Sequence, residues 1–498
     1  MKIHNNSRAI CRLAAGIALL CCTLQVAAQD KKIAALTKEA LLTDFDLIVN
    51  ILKQQHPNLY KFTDSVSFAH QTDSLRKVIA QQPTLINFLQ HLPNYLVKDV
   101  HLSLNLSDDY EKELNATLQY FPYPVVIERD RVFINIKGAA IPYGTELISI
   151  NNIPVKKVLD ELAVHAYSDG YITTGTDRIA RNFQFYFSLH TQKNQPYQVA
   201  YKETGTNKTR QITLPAVDPT TAYHATSQAV LPVNVLQRAY HIYDNFFDAS
   251  QTGLLTVNTF SLNESAAYKE FSQFFREVNK RQYKQVIIDI RNNGGGNPAI
   301  AALLYSFLAK APFRNVYNYR TKTISISYPE YATDDNNRRY SEEDIRSDKN
   351  FYYQRFDKDS TGFYVGNNRL KEGLLEDFPP DKDAFHGDVY ILTGGGTVSA
   401  ATYFASLVQK NQRGTIIGKE TGSGVAATTA AWFITYLLPG TQSRLSIPRA
   451  ELYFFNATTD NGHGILPDQE VPLSSFIRYM QAGKDPELSY TLEVLRKQ

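Results

Sequence analysis

The sequence is poor in cysteine, and its few cysteines are confined to one end of the chain. All three, Cys11, Cys21 and Cys22, precede Gln29 in a chain of 498 residues. Residues 29–498 therefore carry no thiol. This absence excludes a cysteine nucleophile, a cysteine-ligated zinc site and a disulfide framework from that part of the protein.

Motifs for metals and nucleotides are absent as well. The eleven histidines are scattered, none of them forms an H-E-x-x-H pair, and no aspartate-rich calcium loop occurs. The glycines at 294–296 lack the spacing of a dinucleotide fingerprint, and no Gly-Lys-Ser/Thr follows them as a phosphate-binding loop requires. The sequence therefore predicts neither a metal nor a cofactor.

Long hydrophobic runs are missing too. The apolar stretch from Leu13 to Leu24 is too short to span a bilayer, follows three basic residues and precedes the small residues Val26–Ala28. We interpret residues 1–28 as a secretory signal peptide, so we expect the protein to be periplasmic or secreted. A retained membrane anchor is the alternative. Lipid anchoring is less expected, because Leu20 rather than a small residue precedes Cys21.

No excess of charge remains once this segment is removed. The full chain has 52 Lys and Arg against 49 Asp and Glu, and the segment carries three basic and no acidic residues. The mature chain is therefore neutral overall. It offers no sequence-wide electrostatic field for nucleic acid or anionic lipid, so we expect no nucleic-acid partner. Because no second long apolar run follows, we also expect no integral membrane span after cleavage.

The chain is too long to fold around one hydrophobic core, and its pattern of apolar and polar residues changes along its length. Apolar residues first recur at helical spacing, short alternating runs follow, and strands then alternate with helices, which predicts an α/β layer with mostly parallel strands. We predict a helical domain (29–120), a small β domain (121–218), an α/β core (235–475) with a polar insertion (313–385), and a C-terminal helix or tail (476–498).

Two glycine-rich loops follow predicted buried strands, where α/β enzymes place ligands. Gly294–Gly296 leads into a helix, and its backbone N–H groups can approach an anionic oxygen without interference from Cβ atoms. Gly394–Gly396 precedes Ser399, which stands at the start of the next predicted helix. The helix dipole there favours a serine alkoxide and then an oxyanion. A plain turn or an N-cap explains either loop taken alone.

The two loops together resemble a known family. The stretches Ile288–Gly296, Ser399–Ala401, Arg413–Gly418 and Gly464–Asp468 follow the order found in tail-specific (C-terminal processing) serine peptidases and their tricorn-like relatives. The resemblance spans roughly 37–471. It implies a crotonase-like (ClpP/crotonase-type) α/β core with an N-terminal helical cap and a degenerate PDZ-like β module.

The resemblance also implies roles for individual residues. Ser399 would be the nucleophile. The oxyanion would be held by the N–H of Ala400 and that of a glycine in the first loop, Gly295 or its neighbour Gly294. The implied activity is that of an exported serine endopeptidase, so the partner that the resemblance implies is a polypeptide substrate.

The general base departs from the best-known pattern of this family. Processing peptidases pair the serine with a lysine in a Gly-Lys-Gly turn, but Gly424 stands at that position, so no Ser–Lys dyad is available. Lys419 lies earlier and is interpreted as a surface lysine. Tricorn-like relatives use a histidine in an Asp-Gly-His-Thr motif, which the stretch around His101 resembles except for Val100. The resemblance thus implies His101 as the base.

An acid must orient that imidazole. Tricorn-like relatives take it from just before their Gly-Ile-x-Pro-Asp segment, which makes Asp460 the candidate, although a turn formed by Asp-Asn-Gly explains this residue equally well. We interpret Asp289, Arg291 and Asp468 as structural. Two alternatives stay open, namely a non-catalytic ligand-binding protein on the same fold, and an esterase or other acyl hydrolase that uses the same site.

Overall fold

The computed structural model describes most of the chain after the predicted signal peptide. The described residues are 36–92, 96–166, 168–191, 196–203, 206, 208–231, 241–314, 318–334, 336–370, 375–454 and 461–496. The predicted signal peptide and Asp460 lie outside these ranges. No helix among the described residues is long and apolar enough to cross a lipid bilayer.

These residues form a mixed α/β fold. The helices are α1 (Lys38–Gln55), α2 (Ser65–Gln81), α3 (Leu85–Gln90), α4 (Asp108–Thr117), α5 (Val155–Leu162), α6 (Thr176–Arg181), α7 (Phe183–Thr191), α8 (Pro219–Ser227), α9 (Glu264–Lys280), α10 (Pro298–Ser306), α11 (Glu342–Arg355), α12 (Ala400–Lys410), α13 (Leu473–Gln481) and α14 (Pro486–Leu495). The strands are β1 (Ser103–Asn105), β2 (Val125–Glu128), β3 (Arg131–Ile134), β4 (Glu146–Ile150), β5 (Ile153–Pro154), β6 (Tyr197–Lys202), β7 (Thr209–Leu214), β8 (Ile242–Phe247), β9 (Thr252–Val257), β10 (Gln285–Asp289), β11 (Phe313–Arg314), β12 (Asn318–Thr321), β13 (Ala332–Thr333), β14 (Phe356–Lys358), β15 (Tyr364–Gly366), β16 (Asp377–Phe378), β17 (Asp388–Thr393), β18 (Thr415–Gly418), β19 (Ala427–Ala430), β20 (Ile434–Leu437), β21 (Arg444–Ile447) and β22 (Ala450–Tyr453).

A five-stranded sheet in the order β18-β17-β10-β9-β8 forms the centre of the molecule. Neighbouring strands are parallel except β8, which runs antiparallel to β9. Ile288 pairs with Leu255 on one side and with Ile391 on the other, and all three side chains are buried. Because β10 and β17 are parallel neighbours, the two glycine loops that follow them emerge at the same edge of the sheet.

Helices cover this sheet through aromatic and aliphatic side chains. In α9, Phe271, Phe274 and Phe275 are almost fully buried, and each contributes roughly 2–3 kcal/mol of transfer free energy. Asn263 caps α9 by accepting the N–H of Ala266 at 3.2 Å. The helices thereby fix the layer from which the glycine loops project.

The N-terminal helices share a core with strands from the far end of the chain. Leu41 and Ile48 of α1 belong to the same buried cluster as Tyr436 of β20 and Leu445 of β21. Strand β1 also joins these strands, as the edge of a sheet with the order β1-β21-β20-β13. The predicted helical segment is therefore packed against the strands around residues 434–447, a contact that helical periodicity gives no means to predict.

The predicted polar insertion adds strands to the sheets around the core and does not form a separate loop region. Strands β14, β15 and β12 form one sheet with β22 and β19, and β13 pairs with β20. These strands are only two to four residues long, so they leave little alternation in the sequence. Residues 313–385 thus help to hold β19 and β20 in place.

The β segment has a core of its own. Strands β2, β3, β4, β6 and β7 form an antiparallel sheet, and Phe121, Ile134 and Leu162 are buried with the helices that cover it. Its helix α6 lies against the loop before Ser399, where Asp177 accepts the N–H of Gly395 at 3.0 Å. This contact ties the β segment to the second glycine loop.

Candidate active site

Ser399 stands between β17 and α12 in a conformation that few serines adopt. Its φ is 58° and its ψ is −124°, and its side chain makes no capping hydrogen bond to the helix. A non-glycine residue in such a region costs about 1–3 kcal/mol and persists only where its surroundings impose it. The strain and the unused hydroxyl argue against the alternative of a simple N-cap.

A chain of buried hydroxyls holds the backbone of Ser399. The Ser399 N–H donates to Ser423 Oγ at 2.8 Å, and the Ser423 hydroxyl donates to Thr402 Oγ1 at 2.8 Å. The Thr402 hydroxyl donates in turn to the Thr397 carbonyl at 3.0 Å. Ser423 and Thr402 are fully buried, so the position of Ser399 depends on a turn about 24 residues further along the chain.

The first glycine loop lies directly against Ser399. A Cβ added to Gly295 would be 2.5 Å from the Cβ of Ser399 and 3.1 Å from the nitrogen of Ala400, and its φ is +99°. The Ala400 N–H makes no hydrogen bond to any described residue. The Gly295 N–H donates to Asn293 Oδ1 at 2.9 Å, whereas Gly294 has nothing within 4 Å of its Cβ position. Gly295 and Ala400 thus lie directly at Ser399, and the role of Gly294 stays a prediction.

His101 lies just before β1 with its imidazole 9 % exposed. Its Nδ1 is 3.4 Å from Thr428 Oγ1 and 3.9 Å from Asp99 Oδ1. Its Nε2 is buried and has no hydrogen-bond partner among the residues that the structure describes. Nδ1 thus faces polar groups, whereas Nε2 has no described hydrogen-bond partner.

Two buried carboxylates stand beside this imidazole. Asp169 accepts the N–H of Val100 at 2.9 Å, the N–H of Gly424 at 2.9 Å and the Thr428 hydroxyl at 2.6 Å. Asp99 accepts the backbone N–H of His101 at 2.7 Å. The potential ligand atoms of Asp99, His101 and Asp169 lie within 4.8 Å of one another, but each carboxylate oxygen already accepts a hydrogen bond. We therefore interpret the cluster as the polar support of the imidazole.

A second histidine and a threonine complete the surroundings of Asp99. Its Oδ2 lies 2.8 Å from His56 Nε2 and also accepts the hydroxyl of Thr429. The His56 Nδ1 accepts the N–H of Asn58 at 3.2 Å, so the proton of a neutral His56 lies on Nε2 and points at Asp99.

The two carboxyl groups are displaced in opposite directions from their ordinary pKa. Burial and the negative charge of Asp99 raise the pKa of Asp169, and His101, Gly424 and Thr428 offset part of this rise. Burial also opposes ionisation of Asp99, but its hydrogen bond from His56 and the nearby imidazoles hold its pKa below the ordinary value. Asp99 is therefore the carboxylate that stays ionised most readily.

One turn joins Ser399 to this cluster. Ser423 binds the Ser399 N–H, and its neighbour Gly424 donates to Asp169 at 2.9 Å. The described contacts contain no hydrogen bond between His101 and Ser399, and neither the Ser399 hydroxyl nor the His101 Nε2 binds another described residue. The Ser399 hydroxyl and the His101 Nε2 thus both lack a partner among the described residues, and the turn at 423–424 contacts the surroundings of each.

Lys419 is not the surface lysine that the sequence suggests. Its Nζ lies 2.8 Å from Glu128 Oε2 and 2.9 Å from Asp177 Oδ1, and its side chain is 25 % exposed. Burial opposes its charge, but these two carboxylates raise its pKa above the ordinary value. A lysine held protonated in this way cannot serve as the base.

Arg291 and Asp289 have the structural role that the sequence predicts. The Arg291 guanidinium binds Asp289 at 2.6 Å, Asp485 at 2.7 Å and Glu487 at 2.9 Å. Asp468 likewise accepts the backbone N–H of Ile416 at 2.7 Å. These ion pairs fasten the C-terminal helix α14 to the edge of the central sheet.

Residues 251–471 match the model of peptidase family S41. The chain carries a serine peptidase domain of family S41. Both glycine loops, Ser399 and the turn at Ser423 lie within the S41 domain. His101 and Asp169 come from residues that precede it, so the family match by itself does not reach the candidate base.

Solved structures agree with this fold. The chain is similar to mature CPAF complexed with lactacystin, at 14% sequence identity and a TM-score of 0.63 over 92% of this chain and 98% of that one. A second structure of mature CPAF shows 15% identity and a TM-score of 0.60 over 92% and 96%. The photosystem II D1 C-terminal processing protease shows 15% identity over 90% and 98%, with a TM-score of 0.38 that is too low to support an argument.

No curated protein sequence matches the chain. At such identities the CPAF structures support a shared mixed α/β fold and nothing finer. The crotonase-like core and the PDZ-like module stay predictions from the sequence.

Sequence reasoning missed three residues beside the imidazole. His56, Asp169 and Thr428 carry no local signature, because Asp169 lies in an ordinary Ser-Asp-Gly turn and Thr428 in a threonine-rich strand. Asp99 had a signal, since it stands two residues before His101 in the resemblance motif. Asp460, the acid named from the sequence, lies outside the described residues and stays a prediction.

Proposed function

We propose that this protein is an exported serine endopeptidase in which Ser399 is the nucleophile and His101 is the general base. The observation that carries the proposal is the asymmetry of the His101 ring. Its Nδ1 faces the Thr428–Asp169 pair, and its buried Nε2 has no partner among the described residues. A serine general base needs that arrangement, with one nitrogen anchored and the other available.

The hydroxyl of Thr428 supports one tautomer of His101. Thr428 has a single hydroxyl hydrogen, and in the 2.6 Å contact it donates that hydrogen to Asp169 Oδ2 as a hydrogen bond. Its oxygen is then an acceptor for the Nδ1–H of His101, at 3.4 Å. Nε2 consequently keeps its lone pair. Thr428 and Asp169 act as positioning residues in this scheme, and Asp99 supplies the ionised carboxylate that favours the imidazolium formed during the reaction.

The proposed chemical steps are those of acyl transfer through a serine. The Ser399 Oγ bonds to the peptide carbonyl carbon while its proton moves to the His101 Nε2. The C–N bond then breaks, and the same proton passes to the leaving amine nitrogen. Water repeats the sequence on the acyl-serine ester, which releases the carboxylic acid and restores the serine hydroxyl.

Of the two proposed N–H donors to the oxyanion, one is free and the other already makes a hydrogen bond. The Ala400 N–H has no described partner and lies at the positive end of α12. The Gly295 N–H is held by Asn293 Oδ1 at 2.9 Å, so a substrate oxyanion competes with that side chain for it. Gly295 also provides the close backbone approach that Ser399 requires.

Covalent labelling tests the catalytic assignment. A fluorophosphonate probe should label the wild-type protein, and Ser399→Ala and His101→Ala should abolish both labelling and peptide hydrolysis. His224→Ala is a matched control, because His224 is exposed on α8 in the β segment. Labelling that persists in Ser399→Ala would refute the nucleophile. An unlabelled wild type that binds an apolar ligand tightly would favour the ligand-binding alternative.

Substrate class and export need separate tests. Hydrolysis of esters but not of peptides by the labelled protein would favour the acyl hydrolase alternative. For export, N-terminal sequencing of the protein from the native compartment should find a mature chain that begins after Ala28. A cytoplasmic chain that still begins at Met1 would contradict export.

A further inference from the structure

An irregular segment, residues 431–433, connects β19 to β20 next to His101. Strands β19 and β20 run antiparallel to β22 and β21, with Ala430 opposite Ala450 and Ile434 opposite Ile447. Between these two pairs, residues 431–433 join β19 to β20, whereas only residues 448–449 join β21 to β22. The two strand pairs belong to different sheets, so residues 431–433 lie outside the regular pleat of either sheet.

This connecting segment is strained and is held by aromatic packing. Ala431 has a φ of 66° and Trp432 a φ of 47°, a region that costs a non-glycine residue about 1–3 kcal/mol. Trp432 packs on Tyr319, Phe351 and Phe356 with ring centroids 5.0, 5.5 and 5.6 Å away. These contacts, made largely by the insertion, offset the strain and fix the direction of the next residue.

The consequence is an exposed phenylalanine beside the candidate base. Phe433 is the last residue of the connecting segment, its side chain is 48 % exposed, and its ring centroid is 6.1 Å from that of His101. The polar groups of the cluster approach the Nδ1 of the imidazole, so Phe433 adds an apolar surface to an otherwise polar neighbourhood. An aromatic ring left half in water beside a reactive group has apolar area available for a ligand.

We propose that Phe433 determines substrate specificity by contacting a large apolar side chain next to the cleaved bond. The proposal rests on the proposed function, because it places the reaction at Ser399 and His101. A substrate aromatic or leucine side chain would cover the ring and gain burial and, for an aromatic, edge or offset stacking. Discrimination by one such contact is about 10- to 100-fold in kcat/KM.

Paired peptides measure this contact. Wild type and Phe433→Ala are assayed on pairs of peptides that differ only in having phenylalanine or glycine next to the cleaved bond. One pair varies the residue before that bond and a second pair the residue after it. We expect Phe433→Ala to lower kcat/KM for the phenylalanine peptide 10- to 100-fold and for the glycine peptide less than threefold. Tyr353→Ala is the matched control, because Tyr353 is an aromatic residue 72 % exposed on α11.

The outcomes separate the proposal from its rivals. An equal loss on both peptides would mean that Phe433 only shields the imidazole, and no change on either would mean that it makes no substrate contact; both results overturn the proposal. Phe433→Leu, which keeps apolar bulk, should recover most of the preference and also covers the case in which the alanine variant is unstable. Fluorophosphonate labelling of Ser399 should persist in these variants, whereas absence of labelling in wild type would instead defeat the proposed function.

Discussion

Replacing Gly295 with alanine is the sharpest test of how the first glycine loop serves Ser399. The added methyl group would lie 2.5 Å from the Cβ of Ser399 and 2.9 Å from the Val398 carbonyl oxygen. Carbon atoms pack at about 3.5–4.0 Å, so the loop and Ser399 must separate by roughly 1 Å. The neighbours are backbone and a short side chain, which cannot swing away.

The size of the effect follows from that displacement. A misplacement of about 1 Å costs around 10²-fold in rate, and loss of one oxyanion donor costs about 10²–10³-fold. We expect kcat/KM of Gly295→Ala to fall by about 10²–10³, equivalent to about 2.7–4 kcal/mol of transition-state stabilisation. The φ of +99° adds about 1–3 kcal/mol of strain to the folded state.

The assay combines peptide hydrolysis, fluorophosphonate labelling rate and urea unfolding on the same samples. Gly294→Ala is the control, because nothing lies within 4 Å of its Cβ position and its N–H is retained. We expect this control to stay within about threefold of wild type. A folded Gly295→Ala protein with activity similar to that of the control would refute the close approach between loop and nucleophile.

Three further predictions test the strain, the support of the base and the buried charges. Ser399→Gly should be about 1 kcal/mol more stable to urea than Ser399→Ala, since relief of the positive φ outweighs the entropic cost of glycine; equal stability would contradict the strain. Thr428→Val should lower kcat/KM about 10- to 100-fold by removing the hydroxyl between His101 and Asp169, whereas Thr428→Ser should keep kcat/KM near that of wild type. A valine variant as active as wild type would exclude a positioning role for the Thr428 hydroxyl. Burial, with a further contribution from a neighbouring carboxylate, raises the pKa of Glu487 to about 7, so the folded state binds its proton more tightly than the unfolded chain does. Its contribution to stability is full below pH ~4.5 and is lost as pH rises through ~7, so Glu487→Gln should reduce the fall in unfolding free energy between pH 5 and 8 by roughly 1–3 kcal/mol; an unchanged pH profile would contradict this.

Much of the central layer can be read from the sequence because its determinants are local. Runs such as Gln285–Asp289 and Asp388–Thr393 are short and apolar, and each leads through glycines into a helix with a recognisable start. The glycine loops that follow these two strands emerge together, because β10 and β17 are parallel neighbours that end at one edge of the sheet. The insertion was harder to interpret, because strands of two to four residues leave no period to detect.

Polar residues at the site show where local reasoning stops. The motif around His101 predicts a general base, but Asp169 and Thr428 are separated by 259 positions in the chain and meet only in the folded protein. Lys419 was expected on the surface, yet it pairs with Glu128 and Asp177 from the β segment. A charged residue carries no local sign of whether its partner comes from a distant element.

The sequence by itself determined the alternation of strands and helices, the two glycine loops and the position of Ser399 at the start of a helix. These features depend on side-chain pattern and backbone freedom within a few residues. Only the tertiary structure decided the strained backbone of Ser399, the unequal surroundings of the His101 nitrogens and the exposure of Phe433. Each of these depends on contacts between segments far apart in the chain, which exist only once hydrophobic burial has brought those segments together.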